Sequence, residues 1–139
     1  MCTEAGPAQW ELIRERLFPE AMFEEFRRQW PGAIALCEGG SAMLFMPAWP
    51  GVYEGHYAHD RAVPLADRKA MTRRAFEALF DTYGARAIIG RVPRDRRDVR
   101  ILTRAFGFNP IGETLGHAGE PCDLFILTRG DFHGQCLRR

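Results

Sequence analysis

Residues 87–108 read AIIGRVPRDRRDVRILTRAFGF, and two residues punctuate them. Ala87 to Val92 is short, apolar and partly β-branched, the composition of a buried strand. Pro93 stops it, because proline has no N–H to offer a ladder. From about Asp95 to Phe106 the apolar residues Val99, Leu102 and Phe106 recur at helical spacing, and Gly107 ends the run. One step upstream, Met71, Ala75, Ala78, Leu79 and Phe80 stripe a long helix over Ala66 to Tyr83. Asp67 is available to cap it, and Gly84 stands just past its end. Before it, Val52 to Ala58 reads as a strand. Strand, helix, strand implies two parallel neighbours joined by a right-handed crossover.

Further out, Trp10, Ile13 and Leu17, then Met22, Phe23, Phe26 and Trp30, predict two short amphipathic helices within residues 8–30. Pro19 suits the start of the second, and Pro31-Gly32 ends it. Ala33 to Cys37 and Ala42 to Met46 read as strands, with a turn at Glu38–Ser41 and a break at Pro47–Gly51. With Val52–Ala58 they form an antiparallel meander. Strands over Ile111–Thr114 and Asp123–Thr128 close the chain. Residues 1–7 are too short and polar to supply a strand. The 139 residues, 46% of them hydrophobic, suit one α/β layered domain spanning 1–139, with a mixed, mainly antiparallel sheet flanked by helices.

Net charge is +1, unevenly spread. Residues 1–60 hold nine acids and four bases, 61–104 twelve bases and five acids, and 105–139 four acids and three bases. A basic middle third invites a phosphorylated cofactor. Nucleic acid is the weaker reading, because the block lacks interleaved aromatics for base stacking. Cys2, Cys37, Cys122 and Cys136 show no paired spacing and read as free thiols rather than zinc ligands. His56 and His59, three apart on a strand, point to opposite faces. No apolar run is long enough for a membrane span, and the N-terminus does not read as a signal peptide. A cytoplasmic protein is the expectation.

The element order resembles the GNAT acetyltransferase superfamily. Val92-Pro93-Arg94-Asp95-Arg96, followed by a helix and Phe106-Gly107-Phe108, is similar to its V-P-x-D-N…L-G-F unit. Phe80, Tyr83, Gly84 and Ala85 look like the end of its long helix, and Tyr53-Glu54-Gly55-His56-Tyr57 like its central strand. The similarity covers residues 33–128 well and 8–32 loosely. In size and element order the chain also resembles small phage-borne proteins of this kind.

The resemblance implies acyl-CoA-dependent N-acyltransfer, most simply from acetyl-CoA to a small-molecule or peptide amine. The alternative is a GNAT-like binding or assembly module without catalysis; a homodimer is compatible with either. It further implies that strands 52–58 and 87–92 diverge at their C-terminal ends and admit the pantetheine arm. The diphosphate would rest at the helix N-terminus within Arg61–Lys69, involving His59, Arg61, Ala66, Asp67, Arg68 and Lys69, with Arg96 nearby. A backbone N–H near Ala58 would polarise the thioester carbonyl. Three positions depart from the family pattern. Pro64 stands where the phosphate loop has its first Gly, Arg96 replaces the Asn, and Thr103 replaces the Tyr that serves as general acid.

Glu54 and His56 alternate to one face of the central strand, and either suits a general base. A salt-bridged strand carboxylate and a structural histidine are the competing readings. Tyr53 and Tyr57 face the other way and read as packing. Trp30, Trp49 and Tyr53 fit either an acceptor pocket or the rim of the core, and Cys37 and Cys122 read as buried, inert thiols.

Overall fold

A computed structural model describes residues 2–18, 22–116 and 118–137. One seven-stranded sheet runs in the order β1-β2-β3-β4-β5-β7-β6, formed by Thr3–Glu4, Ile34–Glu38, Ser41–Trp49, Val52–His59, Ala87–Pro93, Asn109–Leu115 and Pro121–Thr128 in chain order. Every neighbouring pair is antiparallel except β4 and β5. Helices α1 (Pro7–Leu17) and α2 (Phe23–Gln29) cover one face. There Trp10, Ile13 and Phe26 bury themselves against Ala35, Leu44 and Met46. Helices α3 (Leu65–Asp81), α4 (Arg97–Ala105) and α5 (Arg129–Leu137) lie on the other. Met71, Phe76, Leu79 and Phe80 of α3 meet Phe45, Ile88, Val92 and Phe125 there. Alternation along each strand thus feeds two cores from one sheet.

The glycine stops hold: Gly84 and Gly107 adopt φ of +70° and +92°, the left-handed turn that lets the chain leave a helix. Four expectations need correction. Thr3–Glu4 does form a strand, pairing with Leu36 and Cys37 at the sheet edge. Strand β3 continues through Pro47 to Trp49, with a register shift between those two residues. Its ladder with β2 ends at Phe45, so the N–H missing from Pro47 costs no bond there. Pro64, not Asp67, is the N-cap of α3, and Asp67 lies in its first turn.

Helix α5 is the fourth, unforeseen because Gly130 and Gly134 lower its local propensity. Thr128 Oγ1 accepts the Asp131 N–H at its start, and Phe132 packs on Phe80 at 5.3 Å. Pro19, assigned to the start of the second helix, lies outside the described residues, as does the side chain of Cys136. Among the described residues, no helix is long and apolar enough to cross a membrane.

Candidate active site

The parallel ladder joins only Val52–Glu54 to Ala87–Ile89. Both strands then continue, β4 to His59 and β5 to Pro93, without further pairing to each other. The expected divergence is present. It opens a wedge that has backbone on both sides, where the β4–β5 ladder no longer pairs the facing groups.

Direction follows from the other ladder. Asp60 N–H donates to Gly40 O at 2.8 Å, in register with the β3–β4 pairing. Antiparallel alternation therefore turns the N–H groups of Glu54, His56 and Ala58 to β3, and those of Tyr57 and His59 into the wedge. The Ala58 side chain is buried. Tyr57, adjacent in sequence, carries the N–H aimed at the gap.

Beneath the wedge, on the α3–α4 face, lies a cavity of about 440 Å³. Phe76, Ile88, Val92 and Leu102 give it apolar walls, and His59, Arg68, Lys69 and Arg96 contribute polar groups. Gly55 and Gly90 expose bare backbone to it, and a Cβ at Gly90 would meet nothing within 4 Å. Helix α4 buries no residue fully; Val99 and Leu102, expected inward, are only partly covered because they overhang this space. Tyr57 lines the cavity rather than packing into the core, and it is 40% exposed. Burial raises its phenol pKa, so the hydroxyl keeps its proton at neutral pH.

At the cavity's basic end stands the N-terminus of α3. Its first helical bond runs from Arg68 N–H to Pro64 O, which leaves the amides of Leu65, Ala66 and Asp67 as the orphan donors of the first turn. Proline as N-cap removes none of these three. The Arg68 side chain turns back into the preceding loop and donates to the carbonyls of Val63 at 2.8 Å, Arg61 at 3.1 Å and Asp60 at 3.3 Å. Arg61, Ala66 and Asp67 are exposed and lie outside the cavity wall. Arg96 pairs with Asp98 at 3.2 Å. The hydroxyl of Thr103 donates to Val99 O at 2.7 Å.

On the opposite face, where the ladder ends, Glu54 and His56 come together. Glu54 Oε1 lies 3.4 Å from His56 Nε2, and both side chains are mostly covered. Arg91, across the wedge on β5, grips the Glu54 carboxylate with Nε at 3.0 Å and Nη2 at 2.8 Å. Its Nη1 donates to Leu115 O at 3.2 Å. The His56 ring also meets Phe18 edge-on at 6.0 Å. Arg91 was not singled out in the sequence. A signal existed in its position two residues past the last paired residue of a strand facing Glu54, but only the register exposes it.

The fold has solved counterparts. The spermidine/spermine N-acetyltransferase SpeG from Vibrio cholerae superposes with a TM-score of 0.77 at 8% identity, covering 97% of this chain and 95% of that one. The aminoglycoside acetyltransferase AAC(6')-Ib in complex with coenzyme A superposes with a TM-score of 0.74 at 12% identity, covering 98% of each chain.

The fold is the GNAT acetyltransferase fold.

No protein-family model and no curated protein sequence matches the chain. At these identities the GNAT likeness is one of architecture. A second structure of AAC(6')-Ib, with coenzyme A and kanamycin, gives a TM-score of 0.75 at 12% identity.

Proposed function

We propose that the chain is an acyl-CoA-dependent N-acyltransferase, most simply an N-acetyltransferase acting on a small-molecule or peptide amine. The observation that carries this reading is the end of the β4–β5 ladder at Glu54 and Ile89, with a cavity on one face and an acid–base cluster on the other. The residues fit the cofactor. Bare backbone at Gly90, where a Cβ would meet nothing within 4 Å, gives an extended arm close approach. The amides of Leu65, Ala66 and Asp67 suit a diphosphate, and Lys69 and Arg96 add charge.

When bound, the thioester supplies the activated acyl group. The Tyr57 N–H, directed at the wedge, suits a developing negative oxygen. Arg91 occupies both Glu54 oxygens, so Glu54 orients the imidazole and His56 receives the proton of the incoming ammonium or amine. Thr103 spends its hydroxyl on the helix backbone, whereas the Tyr57 phenol lines the cavity as an uncharged hydroxyl donor.

The test is thermal shift with acetyl-CoA and CoA, followed by thiol release with polyamines, aminoglycosides and short peptides as acceptors. Stabilisation by CoA with turnover of at least one amine is expected. The absence of both stabilisation and turnover at saturating acetyl-CoA would refute the reading.

A further inference from the structure

His59 is the last residue of β4 and lines the cavity beside Arg68 and Lys69. Its ring stacks on Tyr57, 5.3 Å between centroids and 30° apart. Its Nδ1 is buried and has no hydrogen-bond partner among the described residues. Ser41 is its direct cross-strand neighbour on the same face, and the Ser41 hydroxyl is likewise buried without a partner. Unsatisfied buried polar atoms are uncommon, and two on one cross-strand pair mark a place where something polar belongs.

From these positions we infer that His59 binds the phosphorylated part of the ligand as an imidazolium, so that ligand binding is coupled to proton uptake by the ring. The inference rests on the coenzyme A reading above and deepens it. The unpartnered Nδ1, protonated in the imidazolium, is then an N–H available to a phosphoryl oxygen.

The surrounding charges explain why the proton arrives with the ligand. The cavity wall that holds His59 also holds Tyr57 from β4, Arg68 and Lys69 from α3, and Arg96 with Asp98 from α4, while Asp60 and Arg61 follow His59 in the chain. Burial first, then Arg68, lowers the His59 pKa from its ordinary value. The ring is therefore neutral at pH 7 before a ligand binds. A diphosphate beside it reverses the balance, because an adjacent anion favours the charged form. The resulting pKa is higher in the complex than in the free protein. Affinity is then greatest at low pH and falls as pH rises through the His59 pKa of the complex, about tenfold for each unit of difference.

The test uses dephospho-coenzyme A, which keeps the diphosphate but lacks the monoester phosphate that itself titrates near pH ~6. Calorimetry at pH 7 in buffers of different ionisation enthalpy reads the protons taken up. Wild type should gain a fraction of a proton that His59→Gln does not, and pantetheine, which has no phosphate, should show no such difference. Affinity for dephospho-coenzyme A should fall about tenfold from pH 5.5 to 8.0 in wild type and under about twofold in His59→Gln.

A second readout needs only the wild-type protein. The His59 imidazole resonance, assigned through its contact with Tyr57, should titrate at higher pH when dephospho-coenzyme A is bound. Binding with equal proton uptake in both proteins, or with an unmoved His59 midpoint, overturns this inference and leaves the cofactor reading intact. No binding at any pH overturns both.

Discussion

Gly90→Val separates a ligand slot from an accidental void. Gly90 lies within β5 opposite Phe125, at ordinary backbone φ, and its added Cβ would meet nothing within 4 Å. The folded protein therefore accepts a Cβ at this position without a clash. Valine also fits a strand better than glycine, by about 1 kcal/mol from reduced chain entropy and better β preference. For a domain of this size that raises Tm by about 3–5 °C. A ligand lying against the bare backbone loses instead. Forcing a branched side chain into an occupied slot costs about 1–3 kcal/mol, a roughly 5- to 150-fold weaker Kd. Gly90→Ala should fall between. The assay is calorimetric titration with CoA beside a thermal melt of each variant. If Gly90→Val melts higher and still binds CoA with wild-type affinity, the cavity under the wedge is not the cofactor site.

Other perturbations address the remaining parts. Arg68→Ala removes three donors to loop carbonyls and should weaken CoA binding by about 1–3 kcal/mol. Arg68→Lys should rescue it poorly, because the fork rather than the charge shapes the loop; equal affinity in Arg68→Lys would contradict that. His56→Ala should cost about 10²–10⁴-fold in acyl-transfer rate with CoA affinity nearly constant, and Glu54→Gln should lose rate through the same imidazole. An unchanged rate in both would remove the cluster from the mechanism. Tyr83 has a pKa pushed up to about 12 by burial and by its hydrogen bond to Glu4. The folded form then holds its proton longer than the unfolded chain does. The stability contributed is complete below pH ~10 and lost as pH rises toward ~12. Urea melts at pH 7 and pH 11 should show a smaller advantage of wild type over Tyr83→Phe at pH 11 than at pH 7.

Much of the architecture was legible in local pattern. The periods of residues 52–107 announce strand, helix, strand and helix, with Gly84 and Gly107 at the two helix ends where the structure places them. Those signals are local: a repeat of two or 3.6 residues and a glycine stop are properties of a few consecutive side chains. Handedness rules then leave little choice for β4 and β5. Glu54 and His56 were legible as one pair for the same reason, because alternation puts them on one face of one strand.

What only the tertiary structure decided depends on residues far apart in the chain. Arg91 reaches Glu54 across 37 positions, and nothing in either neighbourhood predicts that grip. Whether Tyr57 packs or lines a cavity depends on where α4 stands above it. Helix α5 forms against its own glycines because Phe132 buries itself on Phe80 and Phe76, and burial of one aromatic outweighs the ~1 kcal/mol lost at each glycine. The two-residue β1 exists only because β2 offers it an edge. The chain alone determined the elements and the order in which they fold back. The wedge arose from the strands' unequal pairing, and the inward direction of each polar group from the faces left uncovered. Both are set by packing between elements, which a one-dimensional pattern does not encode.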